Sequence, residues 1–304
     1  MFRNLRLYRL PNGISATPEQ LTTQLLTGLW RNCGASEGRS AGWFAPTKDC
    51  LVYAQADQRL LSYQIEEKIL PANYVARVVQ AKADAIEEER GSQPGRKELR
   101  DIKEMVISAL IPQAFTKMIR IPVWIDNKNG WMAIGGSQSR CEDVITSLNR
   151  CMAMIPQIAL PRTVGDPAGV MTRWLAEGEC PGDFTIDRDC ELVAHTESCA
   201  SVRYSNSNLD TDDIRDHIAT GKTVARIALT WRDRISFVLT DSLEIKRIQM
   251  LDILKEESRA QAEDAQEQFA ADFTIYTGEL SRLIRDVVQA CGGEAPDIDQ
   301  KQAA

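Results

Sequence analysis

The chain has 304 residues, of which 43% are apolar, 26% charged and 6% aromatic, a globular composition that excludes collagen, coiled coils and wholesale disorder. No segment approaches the roughly 18 consecutive apolar residues of a membrane span, and the first ten residues lack the apolar core of an export signal, so we expect a cytoplasmic protein without membrane contact. The net charge of −7 resides in residues 251–304, with 5 basic and 12 acidic side chains, so any surface for an anionic partner must be local.

Strand-like and helix-like segments are mixed along the first half of the chain. Alternating apolar and polar residues predict strands, and apolar residues at spacings of three and four predict helices. Two helices with apolar stripes over residues 75–86 and 99–110 are joined by the short turn 91–95, so we predict a helical hairpin that ends at Pro112. We predict strands at 2–10, 51–53, 60–69, 120–126 and 131–134, and helices from Pro18, from Pro71 and over 144–154.

The second half repeats this mixed pattern after a linker with proline and glycine at 161–169. The predicted elements leave no room for regular parallel crossovers, which favours an α+β fold with mainly antiparallel sheets. We divide the chain into an N-terminal part of residues 1–75 and 119–160, the helical hairpin at 76–118, and a C-terminal part of residues 161–304. Here we predict a short helix near Trp174, strands near Val202, a helix from Asp212, three strands between 222 and 248, two closing helices and a frayed end from Cys291.

Motifs for cofactors receive little support. The segment Gly221-Lys222-Thr223 resembles the end of a phosphate-binding loop, but Asp216 stands where that motif requires a glycine, so we assign Gly221 to a helix C-terminus. The eight cysteines form no C-x-x-C pair and neither histidine stands beside a cysteine pair, so we expect reduced, mostly buried thiols and neither a metal nor another cofactor.

Four acidic residues around the helix from Asp212 leave an alternative open. They could bind a metal ion in a nuclease site, but acids in the first turn also suit the helix dipole, and Asp210 or Thr211 suits the N-cap. No second acidic cluster of clear spacing accompanies them, which favours the structural interpretation. The four residues are Asp210, Asp212, Asp213 and Asp216.

A basic surface is predicted on the strand pair at 222–239. Alternation places Lys222, Val224 and Arg226 on one face of the first strand and the larger apolar residues on the other. Cations on a broad sheet face suit phosphate contacts better than base reading, although a solvated face with local partners such as Asp233 is an equally good interpretation. The candidates are Lys222, Arg226, Arg232 and Arg234, followed by Lys246 and Arg247, of which alternation allows only one on this face.

A second basic stripe lies on the second helix of the predicted hairpin. Arg96, Arg100 and Lys103 follow spacings of three and four, and Glu98 and Glu104 nearby make a salt-bridged surface the more frequent explanation. Beyond Pro112, Phe115 stands at what we predict to be the tip of this hairpin. Such an aromatic either packs into its own core or anchors a partner subunit.

Separate stretches of the chain, taken together in order, carry a resemblance. They are Tyr8-Arg9-Leu10, Cys33-Gly34, Gly42-Trp43, EEKILP at 66–71, LIPQAF at 110–115, Trp124-Ile125-Asp126, WLAEGE at 174–179, residues 217–254, TGEL at 277–280 and Gly292-Gly293-Glu294. No single motif is diagnostic, but their joint order, nearly from end to end, resembles the bacterial recombination-associated protein RdgC family.

The resemblance implies a crescent-shaped α+β subunit that pairs with a second copy into a closed ring. It implies that DNA passes through a positively lined hole with little sequence preference, and that the protein restrains RecA-driven recombination at the nucleoid. It also implies that Phe115 inserts into the partner subunit to close the ring. Gln113 stands beside it where relatives often carry arginine, and Ser205-Asn206-Ser207 stands where some carry lysines.

The leading hypothesis is therefore a non-enzymatic homodimer that binds DNA, mainly double-stranded, through the two basic surfaces, and binding of single-stranded DNA stays open. Two alternatives stay open. One is a metal-dependent nuclease with the acids at 210–216, and the other is an adaptor that binds RecA and never contacts DNA.

Overall fold

The computed structural model describes residues 2–48, 50–195, 200–251 and 265–296. It confirms an α+β fold, with two antiparallel sheets and seven α-helices in the described ranges. The strands are β1 (Arg6–Arg9), β2 (Arg39–Phe44), β3 (Tyr53–Gln55), β4 (Gln58–Lys68), β5 (Thr116–Asp126), β6 (Trp131–Ile134), β7 (Phe184–Ala194), β8 (Ser201–Tyr204), β9 (Lys222–Trp231), β10 (Ile235–Thr240) and β11 (Ile245–Met250). The helices are α1 (Pro18–Leu25), α2 (Ala72–Arg90), α3 (Arg96–Leu110), α4 (Gln138–Cys151), α5 (Pro167–Glu177), α6 (Asp212–Ala219) and α7 (Ala265–Ala290).

The first sheet has the strand order β1-β6-β5-β4-β2, with β3 paired to the free end of β4. Because successive side chains in a strand point to opposite faces, its central strands bury both sides. Leu61 and Val123 lie in a core with residues of α1 and α4, whereas Leu60 and Trp124 on the other face join the core of the C-terminal part.

The second sheet has the order β11-β10-β9-β7-β8. One face packs against α5, α6 and α7 through a core that includes Trp231 and Phe273, while the opposite face carries most of the candidate site. The two sheets are linked at Leu5, which exchanges backbone hydrogen bonds of 2.7 and 2.9 Å with Ile245 of β11. The chain just before β1 therefore continues the edge of the second sheet.

Helices α2 and α3 form the predicted hairpin. Gly91 ends α2 with φ at +72°, a left-handed conformation that glycine adopts without steric cost. Val75, Ile102 and Val106 form a small core between the two helices. The backbone N–H of Ile69 donates to the carbonyl oxygen of Phe115 at 2.8 Å, so Phe115 lies where the hairpin joins the first sheet, at the end opposite to Gly91.

Several elements differ from the sequence predictions. Strands β2 and β7 were not predicted, and β7 escaped because Asp187, Asp189 and Glu191 give it a composition that is poor in strand-forming residues. Helix α5 begins at Pro167, inside the predicted linker. One predicted closing helix is α7. The prediction of the other concerns the chain between β11 and α7, which includes residues 252–264, outside the described residues.

The end of the chain is held more firmly than predicted as far as the structure describes it. Glu294 forms a bridge with Thr163, and the backbone N–H of Ala295 donates to the carbonyl oxygen of Arg162 at 2.9 Å. The predicted fraying is therefore wrong for 291–296, while 297–304 lie outside the described ranges. Of the helices in those ranges, none combines the length and apolar character needed to cross a bilayer.

Candidate nucleic-acid interface

The face of the second sheet that points away from the core carries a row of charged residues. In the register of the sheet, Glu191 of β7 lies directly opposite Arg203 of β8 on one side and Arg226 of β9 on the other. Directly opposed residues in antiparallel strands share a face, so these three side chains emerge together. Arg203 and Arg226 are both exposed.

Two further cations from β11 join this row. Lys246 lies opposite Val238 of β10, on the same face, and Arg247 occupies an irregularity of the register with its φ at +53°. An extra residue in one strand re-aims the neighbouring side chains. Lys246 and Arg247 therefore both line one depression of about 300 Å³, although strict alternation had allowed only one of them on this face.

We call Arg203, Arg226, Lys246 and Arg247 the cationic face. All four line the depression, together with residues that include Asn4, Tyr204 and the carboxylates of Asp189 and Glu191. The cations come from three strands of the sheet, so the site is a product of tertiary structure and not of one sequence motif. Arg203 was not among the predicted residues, because no sequence signal revealed that β8 pairs with β7.

Acidic residues neutralise much of this positive charge. Arg226 Nε lies 3.0 Å from a Glu191 oxygen, Arg247 Nη1 lies 3.1 Å from Asp189 Oδ2, and Lys246 Nζ lies 2.5 Å from a Glu244 oxygen. Glu244 also binds Arg6 at 2.8 Å. Five cations, with Arg6 counted, and three carboxylates thus share the region, and the cationic face is less positive than its composition suggests.

Arg232 and Arg234 lie outside the cationic face, so the prediction that they share a surface with Arg226 is wrong. Arg232 and Asp233 form the turn between β9 and β10 in the left-handed region, with φ at +50° and +52°, so alternation does not apply there. Arg232 binds Asp183 at 2.7 Å and Asp286 of α7 at 3.2 Å, and Arg234 binds Glu279 of α7 at 3.2 Å.

Lys222 also points elsewhere. The register between β7 and β9 shifts near Ala225, so Val224 is fully buried on the core side of the sheet. Strict alternation had instead placed Val224 on the same face as Arg226. Lys222, two residues before Val224, directs its ammonium towards α6, with Nζ 3.0 Å from His217 Nδ1. Gly221, just before it, has φ at +88° and follows the end of α6, as the helix C-terminus interpretation predicted.

The basic stripe on α3 is exposed as predicted. Arg96, Arg100 and Lys103 are all exposed, and no ion pair of theirs is found among the described residues. Glu98 instead binds Arg90 of α2 at 2.7 Å. The salt-bridged surface expected from Glu98 therefore involves the other helix of the hairpin.

Phe115 is 85% exposed, the most exposed large apolar side chain among the described residues. It lies at the base of the hairpin and not at its tip, because α3 returns the chain to the first sheet before Phe115 is reached. Two other exposed apolar side chains are near it. Met118, 54% exposed, follows Phe115 by three residues, and Ile69, 47% exposed, donates its backbone N–H to the carbonyl oxygen of Phe115. Gln113 precedes it and is also exposed.

The acids at 210–216 form the start of α6. Thr211 is the N-cap, Asp212 and Asp213 lie in the first turn, and Arg215 binds both Asp210 and Asp212. This arrangement is that of a neutralised helix N-terminus. Within the described parts of the chain, no group of three or more His, Cys, Asp or Glu residues is arranged to hold a metal ion.

One carboxylate beside the cationic face has a shifted pKa. Burial raises the pKa of Asp187 above its ordinary value and the nearby Asp189 adds to the rise, while the Thr230 hydroxyl, which donates to Asp187 at 3.0 Å, acts in the opposite direction. The surroundings of Asp187 therefore disfavour its charged form.

Comparison with known proteins gives one consistent result. A family model described as "Putative exonuclease, RdgC" matches residues 1–294. The chain is 42% identical over 298 residues to "Recombination-associated protein RdgC" of Dechloromonas aromatica, covering 96% of this chain and 98% of the relative. It is 41% identical over 305 residues to the protein of the same name from Burkholderia orbicola, covering 100% and 99%.

Proposed function

The chain belongs to the RdgC family of recombination-associated proteins, and from this premise we propose that it binds DNA through the cationic face without sequence preference. The observation that carries the proposal is the convergence of Arg203, Arg226, Lys246 and Arg247 on one depression. Phosphate contacts position a protein on DNA but carry no sequence information. A sheet face with long basic side chains, and no helix of groove size presenting them, suits such contacts.

Titration of DNA at several salt concentrations tests this proposal. Two duplexes of equal length and unrelated sequence should bind with affinities that agree within about threefold, and log K should fall linearly with log salt because each neutralised phosphate releases counterions. A single strand of the same length should bind with a shallower slope. Duplex that stays unbound in low salt, or a strong preference for one sequence, would contradict the proposal.

The same proposal includes a homodimer that closes into a ring, with Phe115 and Gln113 at one interface. The support is the 85% exposure of Phe115 beside other exposed apolar side chains, since buried aromatic anchors dominate many interfaces. Phe115→Ala should raise the dissociation constant for self-association at least tenfold and leave folding intact, as measured by analytical ultracentrifugation. Met154→Ala, at a residue 73% exposed elsewhere, is the control.

We also propose that the protein restrains RecA by occupying DNA. In a RecA-driven strand-exchange assay, the wild-type protein should inhibit and Arg226→Ala/Arg247→Ala should inhibit less, in proportion to its weaker DNA binding. An adaptor that contacts only RecA would inhibit equally well with either protein.

The proposal assigns no catalytic activity, and the description of the family model as an exonuclease makes a nuclease the second candidate. Arg215 neutralises the acids at the start of α6, which weighs against their use as metal ligands. Incubation of end-labelled duplex with the protein and magnesium decides between them. Products that are lost on Asp213→Ala would favour the nuclease, and intact DNA would favour the binding protein.

A further inference from the structure

We propose that Asp189, Glu191 and Glu244 compete with DNA phosphates for the cationic face, so that DNA binds by displacing these carboxylates from their basic partners. This inference rests on the proposed function and concerns the same site. It predicts that the ion pairs between these carboxylates and the cationic face weaken the affinity of the protein for DNA, and that removing one carboxylate strengthens binding.

Glu191 has the geometry of such a competitor. It lies between Arg203 and Arg226 in the register of the sheet, and its two oxygens lie 3.0 and 3.5 Å from the Arg226 guanidinium. Its side chain is only 17% exposed, whereas that of Arg226 is 47% exposed. The carboxylate therefore lies below the level of the arginine heads, where approaching phosphates would meet both the cations and this charge.

Asp189 binds Arg247 from a second irregular stretch of the sheet. The five residues of β7 from Ile186 to Cys190 span the same pairing interval as the three residues of β9 from Ile227 to Leu229, so Asp189 lies in a bulged segment. Its Oδ1 accepts from the backbone N–H of Asn206 at 2.8 Å, and its Oδ2 binds Arg247. The backbone N–H of Arg247 donates in turn to Asn4 Oδ1 at 3.0 Å.

Displacement has a consequence for the salt dependence of binding. Each cation that neutralises a phosphate releases counterions from DNA, and the slope of log K against log salt counts these events at about 0.9 each. A carboxylate that loses its arginine partner in the same step is left with an unpaired negative charge, which attracts salt cations. For the wild-type protein, the magnitude of the slope of log K against log salt should therefore be smaller than about 0.9 times the number of phosphates that it contacts.

Glu191→Gln is the direct test, because glutamine keeps the size of the side chain and loses its charge. Duplex DNA is titrated at four salt concentrations with wild type, Glu191→Gln and Glu37→Gln. Glu37 binds Arg31 in an exposed pair of the N-terminal part, so its variant makes the same charge change away from the site. We expect Glu191→Gln to bind about three- to tenfold more tightly than Glu37→Gln at low salt, with a slope steeper by about one.

A double-mutant cycle with Arg226→Ala supplies the second measurement. If Glu191 acts through Arg226, the gain from Glu191→Gln should shrink markedly in the Arg226→Ala background. Circular dichroism and thermal unfolding of each variant establish that it is folded.

The outcomes separate this inference from the proposed function. Wild-type DNA binding with equal affinities and slopes for Glu191→Gln and Glu37→Gln would overturn the competition and leave DNA binding intact. Weaker binding by Glu191→Gln would also overturn it, since the carboxylate would then position Arg226 productively. A wild-type protein that binds no DNA at low salt would overturn both.

Discussion

The cationic face and the arginines of the β9–β10 turn are close in sequence and composition but differ in their surroundings. Arg226 extends from the middle of β9 over a depression shared with three other cations, and its acidic partner comes from the neighbouring strand. Arg232 and Arg234, only six and eight residues later, bind Asp286 and Glu279 of the last helix. Charge alone therefore does not define a binding surface; the register and the turns decide which partner each cation meets.

One acid of the turn region, Glu279, is buried more deeply than the acids that pair with the cationic face. Glu279 is nearly inaccessible, with its side chain 4% exposed, and it forms ion pairs with both Arg234 and Arg282. A carboxylate in such a place is costly without its cations. We infer that the arginines of the turn hold α7 to the second sheet, whereas those of the cationic face remain available to a ligand.

The largest expected effect is on stability, from Arg234→Ala. Loss of this arginine leaves Glu279 with Arg282 as its remaining ion-pair partner among the described residues, so we expect a loss of about 2 kcal/mol in the free energy of unfolding, measured by urea denaturation. Arg285→Ala, at a residue 68% exposed on the same helix, should cost less than about 0.5 kcal/mol. Equal small effects of both variants would show that the turn does not anchor α7.

In the cationic face, a substitution should affect DNA binding and leave stability nearly unchanged. Arg226→Ala should leave the free energy of unfolding within about 0.5 kcal/mol of wild type, because its pair with Glu191 is partly exposed. It should weaken DNA binding several-fold on every sequence and reduce the salt slope, measured by fluorescence anisotropy. A loss confined to one DNA sequence would indicate base reading instead.

A smaller effect is expected from the stripe on α3. Arg96→Ala/Arg100→Ala/Lys103→Ala should leave folding unchanged, because all three residues are exposed. It should weaken DNA binding by about threefold at low salt if the hairpin contributes general electrostatic attraction. An effect larger than that of Arg226→Ala would transfer the main interface to the hairpin.

The smallest effect concerns Asp187 and depends on pH. The pKa of Asp187 in the folded protein is raised above its unfolded value of about 3.9, so the native state binds a proton more readily than the unfolded state. The protein therefore loses stability as pH rises from the unfolded pKa through the folded pKa. Asp187→Asn should therefore be slightly more stable than wild type at pH 7, by less than about 0.5 kcal/mol. The advantage should shrink as pH falls towards 3. A constant difference across pH 3–7 would assign the effect to packing.

The sequence predicted the fold class, the helical hairpin and several strand pairs, because these depend on local periodicity. It also identified Arg226, Lys246 and Arg247 as candidates. The prediction failed where strand register matters. The register shifts near Ala225 and Arg247 move the neighbouring side chains to the other face of the sheet, which simple alternation cannot predict. Arg203 and the carboxylates of β7 were missed because their role depends on pairing between strands, which no local pattern encodes.

The difference in salt dependence between the two regions tests the central claim most directly. DNA binding is titrated at four salt concentrations with wild type, Arg226→Ala/Arg247→Ala and Arg232→Ala. We predict that the double variant loses about one to two from the magnitude of the slope, while Arg232→Ala retains the wild-type slope and affinity. Equal losses in the two variants, or a loss only in Arg232→Ala, would contradict the assignment of DNA binding to the cationic face.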